Sequence, residues 1–277
     1  MIKDTYPHKE VYAVGDMTPR YAFMLTQPMD EIADELYSGA LAIVLDTSAK
    51  SLISDERYTL AEATARMDHH LFVEKICDEE ITATSYESCA GLVADFAKNT
   101  GLRMTPAAAK SLYTGMITDS GRFRYDSTSA ETFRLAAFLR ETPFETEDIY
   151  RNLYTDDFSR IRLRAQFVLR VKFTKNGVAY IYTTKEEAEQ SGADNFTLSR
   201  GMVGTMSEIR GVDLWVNFTE TDSGIFCELR SSRYNVNAIA VKYGGGGHEK
   251  ASGATLPDKE SAMRLLSDLD ALAGGEK

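Results

Sequence analysis

The chain has 277 residues, of which 43% are hydrophobic and 26% charged, the make-up of a soluble globular protein and not of a disordered one. A formal net charge of −11 opposes long-range attraction of long nucleic acids, so the acidity either serves solubility alone or leaves a small anionic substrate to a local basic pocket. No apolar run approaches the roughly 18 residues of a membrane span, Met1-Ile2-Lys3-Asp4-Thr5 lacks a signal-peptide core, and Cys77, Cys89 and Cys227 have no CxxC spacing, which suits a reducing cytoplasm without structural disulfides or zinc.

Residues 1–145 alternate short β-like runs with helical stretches, the pattern of an α/β domain. Glu10–Val14 reads as a strand closed by Gly15-Asp16. Leu41–Leu45 is a continuous apolar run, expected of a strand buried on both faces, and it delivers Asp46 at its carboxyl end, where open α/β sheets place ligands. Arg66-Met67 closes another strand ahead of Asp68. Thr84 and Glu87 form a capping-box pattern before the apolar run at Cys89. Thr105-Pro106 starts a helix that runs to about Ile117 and leaves Asp119 at its end, and Thr128 and Glu131 open another. Residues 146–172 read as one connector helix, and its arginines form either a phosphate-facing wall or a solvated face.

A second, smaller α/β domain with a mixed sheet is expected over 173–277. Val178–Tyr182 is a strand, Leu198–Ile209 is helical, and Leu214–Phe218 pairs with Ile225–Leu229 around the Asp222-Ser223-Gly224 turn. Asn235 caps a short helix ending in glycines, and Ser261–Leu272 is an amphipathic terminal helix.

Two of the four histidines sit side by side in Asp68-His69-His70. Together with Asp46 and Asp119 they put carboxylates and imidazole on loops of one domain, the donor set that a hard-to-borderline divalent cation wants. Two-metal phosphoryl hydrolysis needs bridging carboxylates of this kind, and a neutral imidazole completes a coordination shell without adding charge. Downstream, Gly244–Gly247 is longer than a helix cap requires and exposes bare amides beside His248, which suits a close approach of phosphate or base. Arg230-Ser231 adds a guanidinium and a hydroxyl suited to phosphate.

These residues resemble the DHH phosphoesterase superfamily, and within it the nanoRNase/pAp phosphatase group. Asp46 looks like its second motif, Asp68-His69-His70 its third and Thr118–Phe123 its fourth. Gly245-Gly246-Gly247-His248 with Ala251 and Gly253 is similar to the signature of the DHH-associated C-terminal domain. The resemblance implies a parallel-sheet metal-binding domain over 1–145 and a substrate-binding domain over 173–277. It implies two Mn²⁺ ions in the complete family site, with Asp46, His69 and Asp119 as ligands. Asp68 is implied to sit beside the ligands, and His70 to face the scissile phosphate. Arg230, Ser231, Gly245, Gly246, Gly247 and His248 are implied to hold the nucleotide.

The implied substrate is a short oligoribonucleotide or 3′-phosphoadenosine 5′-phosphate, in a cytoplasmic enzyme for which a homodimer is compatible. The family's first motif, His-x-x-x-Asp-x-Asp, does not occur in the chain. Its absence implies an incomplete metal shell, poor Mn²⁺ retention and impaired activity. A sheet without the accompanying strand is expected to leave Leu41–Leu45 exposed or an edge unpaired. The rival readings are a linear or cyclic dinucleotide phosphodiesterase and an inactive nucleotide-binding protein. The glycine signature speaks against a pyrophosphatase.

Overall fold

A computed structural model describes residues 1–25 and 27–275. The chain divides into two compact units, Met1–Thr155 and Asp156–Lys277. No helix among the described residues is long and apolar enough to cross a membrane.

In the first unit, residues before position 40 form a one-turn helix, α1 (Ile2–Thr5), and short 3₁₀ turns at Pro19–Met24 and Asp34–Tyr37. The strand expected at Glu10–Val14 is absent. Its backbone link is a local one, with Ala13 donating to Asp30 Oδ2 and Asp30 N donating back to the Ala13 carbonyl. β propensity yields a strand only where a neighbouring ladder exists to pair with.

The sheet of this unit is β1 (Leu41–Leu45), β2 (Ala63–Asp68) and β3 (Glu79–Thr82), parallel throughout and in that spatial order. β1 is therefore an edge. Val44 is buried with Tyr58, Ile76 and Cys77, whereas Leu41, Ile43 and Leu45 remain 58%, 42% and 50% exposed. The expectation of burial on both faces is thus corrected: period-2 alternation sends these three side chains to a face that nothing described covers.

Four helices follow: α2 (Cys89–Thr100), α3 (Pro106–Asp119), α4 (Ala130–Arg140) and α5 (Thr146–Tyr154). Ser88, not Thr84, caps α2, its Oγ accepting from Gly91 N at 2.9 Å. Glu87 is instead buried, accepting from the hydroxyls of Ser88 and Thr132. Thr105 caps α3 ahead of Pro106 as expected, and Ser129, one residue beyond Thr128, caps α4. A Cβ at Gly115 would lie 2.6 Å from that of Ala90, so glycine lets α2 and α3 meet closely. Ala94, Ala109, Met116, Leu135 and Leu139 form the core between the helices.

The stretch 146–172 holds two helices, not one: α5 and α6 (Phe158–Val168). Thr155 and Asp157 are extended between them. Short polar side chains of this kind favour helix ends over helix interiors. Arg151, Arg160, Arg164 and Arg170 each pair with a carboxylate, which identifies their faces as solvated and charge-matched.

The second unit is built on a mixed sheet of β4 (Lys172–Phe173), β5 (Ala179–Thr183), β6 (Leu214–Thr221), β7 (Gly224–Ser231), β8 (Gly246–His248) and β9 (Ala251–Leu256). The spatial order is β4-β5-β6-β7-β9-β8; only β5 and β6 run parallel. Helices α7 (Lys185–Ser191), α8 (Asn237–Lys242) and α9 (Lys259–Gly274) complete it. Val216, Phe218 and Leu229 pack with Leu265 and Leu269 of α9, while Ala179, Ile181 and Trp215 pack with Leu198, Met202 and Met206. Leu198–Ile209 is helical in character but not one α-helix: a π turn at Thr197–Gly201 is followed by a 3₁₀ turn at Gly204–Glu208.

Candidate functional site

The first unit gathers its acid and imidazole groups at the carboxyl ends of β1 and β2. Asp46 directly follows β1, its N–H extending the ladder to the Met67 carbonyl. Its φ of 60° is left-handed, a conformation that aspartate tolerates better than most residues. Asp68 ends β2, and His69 and His70 follow it. Asp119 is the last residue of α3. The turn beyond it is left-handed at Gly121, Arg122 and Phe123, with buried Ser120 Oγ donating to Met116 O and accepting from Phe123 N. A Cβ at Gly121 would lie 2.5 Å from the Tyr125 ring, which explains the glycine in that motif.

These residues converge. His69 Nε2 lies 3.1 Å from Asp119 Oδ2 and 3.5 Å from Asp46 Oδ1. His69 Nδ1 lies 3.2 Å from the Tyr86 carbonyl, which can only accept, so Nδ1 carries a proton and Nε2 is the ring nitrogen turned toward both carboxylates. An acceptor on Nδ1, with Nε2 left to face the site, is the orientation a metal-binding histidine needs. Tyr86 is itself fixed by its hydroxyl, which donates to Asp95 Oδ2 at 2.8 Å; that bond pushes the phenol up to about 12. Ligand atoms of Asp46, His69 and His70 also lie within 4.8 Å of one another.

Asp68 is buried, and its Oδ1 accepts from His70 Nδ1 at 2.8 Å. Burial works to raise the Asp68 carboxyl, yet the hydrogen bonds from the His70 ring and amide outweigh it and hold the acid below its ordinary range. The same hydrogen bond raises His70, with the charges of Asp68, Asp46 and Asp119 adding to it and burial opposing. The other oxygen, Asp68 Oδ2, is buried with no hydrogen-bond partner among the described residues. Burial also raises Asp119, with the charge of Asp46 reinforcing the shift and His69 and His70 opposing it. A cavity of ≈ 330 Å³ opens beside Asp46 and Asp119, lined also by Tyr21, Met24, Cys89, Gly115 and Thr118. The close carboxylates, the oriented imidazole and the orphaned Asp68 oxygen all fit a divalent cation.

Sequence reasoning missed the group that holds this loop. Arg66 is buried, and its Nη1 donates to the carbonyls of Thr47 and Ser48, just after Asp46. Its Nη2 pairs with Glu80 at 2.9 Å, and Glu80 accepts in turn from the amides of Ile76 and Cys77. An arginine one turn of the pleat before Asp68 is visible in the sequence, but its inward direction is set by burial on β2.

In the second unit, direct cross-strand pairing puts Arg230, Ala251 and His248 in one row and Glu228, Gly253 and Gly246 in the next, on the same sheet face. Glycine at Gly253 and Gly246 leaves bare backbone beside Glu228, in the row next to Arg230, Ala251 and His248, a shelf two strand spacings, or about 10 Å, across. The glycines are needed. A Cβ at Gly245 would lie 2.1 Å from the Gly253 carbonyl, and Gly247 has a φ of 137°. Asn237 Nδ2 ties down the turn by donating to Gly247 O at 2.7 Å. His248 is exposed. Arg230 is bonded to Glu228 and to the carbonyls of Leu229 and Ser252. Ser231 is buried, with Oγ donating to Asp213 O and accepting from the amides of Arg233 and Tyr234, so its hydroxyl shapes the turn after β7.

Comparison with known proteins finds relatives that span both units. A family profile described as the DHHA1 domain matches residues 177–275. The bifunctional oligoribonuclease and PAP phosphatase NrnA of Bacillus subtilis is 32% identical over 275 residues, covering 98% of this chain and 87% of the relative. The protein of the same name from Thermus thermophilus is 29% identical, covering 90% of this chain and 75% of the relative. Among solved structures, an exopolyphosphatase-related protein from Bacteroides fragilis superposes with a TM-score of 0.75 at 29% identity, covering 86% of this chain and 73% of that one.

Proposed function

Because this chain belongs to the DHH phosphoesterase superfamily, in its nanoRNase and pAp phosphatase group, we propose that it hydrolyses short oligoribonucleotides and removes the 3′-phosphate of 3′-phosphoadenosine 5′-phosphate. The observation that carries this reading is the convergence of Asp46 and Asp119 on His69 Nε2. These three residues would hold a divalent cation, and Mn²⁺ suits their mixed oxygen and imidazole donors. When bound, such a cation neutralises charge developing on the phosphoryl oxygens and activates water.

The rest of the chemistry falls to the chain's own groups. Asp68 holds a proton on His70 Nδ1 and stabilises the charged ring. That leaves His70 Nε2 to donate to the leaving oxygen of the phosphoester. Tyr86 keeps His69 Nε2 facing the carboxylates. In the second unit, Gly245, Gly246 and Gly247 admit the nucleotide to the backbone, His248 contacts it, and Arg230 supplies positive charge. Ser231 contributes by shaping the turn. A cytoplasmic setting fits such a substrate.

The test is hydrolysis of ribo-dinucleotides to ribo-pentanucleotides and of 3′-phosphoadenosine 5′-phosphate, with Mn²⁺ and with EDTA. Release of mononucleotides and phosphate with Mn²⁺ alone is the expected result; cleavage of neither substrate class sinks the enzymatic reading. Preference for a cyclic dinucleotide would redirect it. A second reading is a nucleotide-binding protein without turnover. Nucleotide binding without hydrolysis, at saturating Mn²⁺, would establish that second reading.

A further inference from the structure

Arg200 is the side chain in the second unit whose placement the glycine signature does not explain. It lies on the π turn Thr197–Gly201, over the sheet face that carries Glu228 and Arg230. π turns cost hydrogen-bond geometry and recur at functional sites. This one is held from below: buried Asn217, which pairs with Glu228 across β6 and β7, donates through Nδ2 to the carbonyls of Leu198 and Ser199 at 2.7 and 2.8 Å. The backbone immediately before Arg200 is thereby pinned to the sheet.

The guanidinium is oriented as well. Arg200 Nε donates to Glu228 Oε1 at 3.1 Å, while Arg230 Nη2 takes the other oxygen at 3.0 Å. Glu228 is 12% exposed and Arg200 62%. One nearly buried carboxylate thus braces two arginines, and the pair of cations exceeds it by one charge. The Nη groups of Arg200 bond nothing else among the described residues. Glu228 Oε1 lies 3.5 Å from where a Cβ of Gly253 would be, so the braced head sits at the border of the bare glycine floor. A guanidinium held by Nε, with both Nη groups open, presents the planar fork that matches a phosphate.

We propose that Arg200 is a substrate-positioning residue that takes a phosphate of the nucleotide lying on the Gly246–Gly253 shelf, with Glu228 as its brace. This rests on the nucleotide-hydrolase reading above, and it adds a residue and a role to it. The exposed ion pair by itself would contribute little to stability, so removing Arg200 should spare the fold.

The experiment measures binding of a ribo-trinucleotide and of adenosine to the full chain in EDTA, across a KCl series. For Arg200→Gln, trinucleotide affinity should fall about tenfold, the scale of one charge-assisted contact. The slope of log K against log salt should lessen by about 0.7, the value for one phosphate contact on a single strand. Adenosine affinity and the thermal unfolding midpoint should not move, and Arg200→Lys should regain the slope but only part of the affinity. An Arg200→Gln protein that keeps both wild-type affinity and salt slope overturns the assignment while leaving the nucleotide reading intact. A wild-type chain that binds neither ligand overturns both.

Discussion

The two units concentrate charge in opposite ways. In the first, Asp46, Asp68 and Asp119 crowd two histidines at strand and helix ends, and no lysine or arginine pairs with those carboxylates among the described residues. In the second, Glu228 sits on a sheet face between two arginines. The first cluster is an excess of negative charge that only a cation or protons can relieve; the Asp119 carboxyl, raised chiefly by burial, is raised further by the charge of Asp46. The second has surplus positive charge beside bare backbone, which suits an anion. On the function proposed above, one polypeptide therefore offers a cation site built from loops and an anion shelf built from a sheet.

The sharpest way to break this contrast is Asp119→Ala. It should abolish Mn²⁺-dependent turnover and weaken Mn²⁺ binding by at least ~100-fold, since even groups that merely orient ligands are worth about 10–100-fold. Titration by electron paramagnetic resonance reads the metal directly, with His248→Ala as the control that should retain Mn²⁺ affinity. Equal affinity in Asp119→Ala would remove that residue from the site.

A second comparison sets Arg66 against Arg200. Both pair with a glutamate, but the Arg66 side chain is wholly buried and Arg200 is mostly exposed. Arg66→Met strands Glu80 and the Thr47 and Ser48 carbonyls, and should cost about 3–5 kcal/mol in urea unfolding. It should also loosen Mn²⁺ binding through Asp46. A cost below ~1 kcal/mol, the level of an exposed pair, would mean the guanidinium does not hold that loop.

Acid pH tests an ion pair of the first unit, where hydrogen bonds from Arg57 hold the Asp55 carboxyl well below its usual range. For such a depressed acid the stabilisation is fully present above the unfolded value near 4 and disappears as pH falls toward the folded one. Arg57→Met should lower stability at neutral pH and flatten its decline below about pH 4. Circular dichroism against urea at several pH values checks this, and an unchanged slope would exclude the pair as a source of acid sensitivity.

The smallest effect is expected at Cys89, at the start of α2 near the cluster. Burial pushes its thiol up to about 12, and its Sγ donates to the Met67 carbonyl at 3.2 Å, so it is an inert packing group. Cys89→Ser should leave kcat within about twofold and stability within ~1 kcal/mol. A large loss in kcat would bring the thiol into the chemistry.

Much of the candidate site's placement in the fold is legible in the sequence. Leu41–Leu45 had the length and composition of a strand, so Asp46 had to emerge at its end. Proline after Thr105 marked a helix start, and the helix delivered Asp119. Residue chemistry and local periodicity carry such inferences because strand ends and caps depend on near neighbours. Glu10–Val14 failed because a strand is a property of a pair. The connector failed because Thr155 and the aspartates after it end one helix and precede another.

The amino-acid sequence by itself determined the chemical inventory: acids and paired histidines for a cation, glycines and arginines for an anion, and the order of elements that present them. Only tertiary structure decided which of these groups meet. The 3.1 Å approach of Asp119 to His69, the burial of Arg66 under the Asp46 loop and the brace of Glu228 on Arg200 all join residues far apart in the chain. Such contacts depend on sheet register and helix packing, which local sequence preferences constrain only weakly.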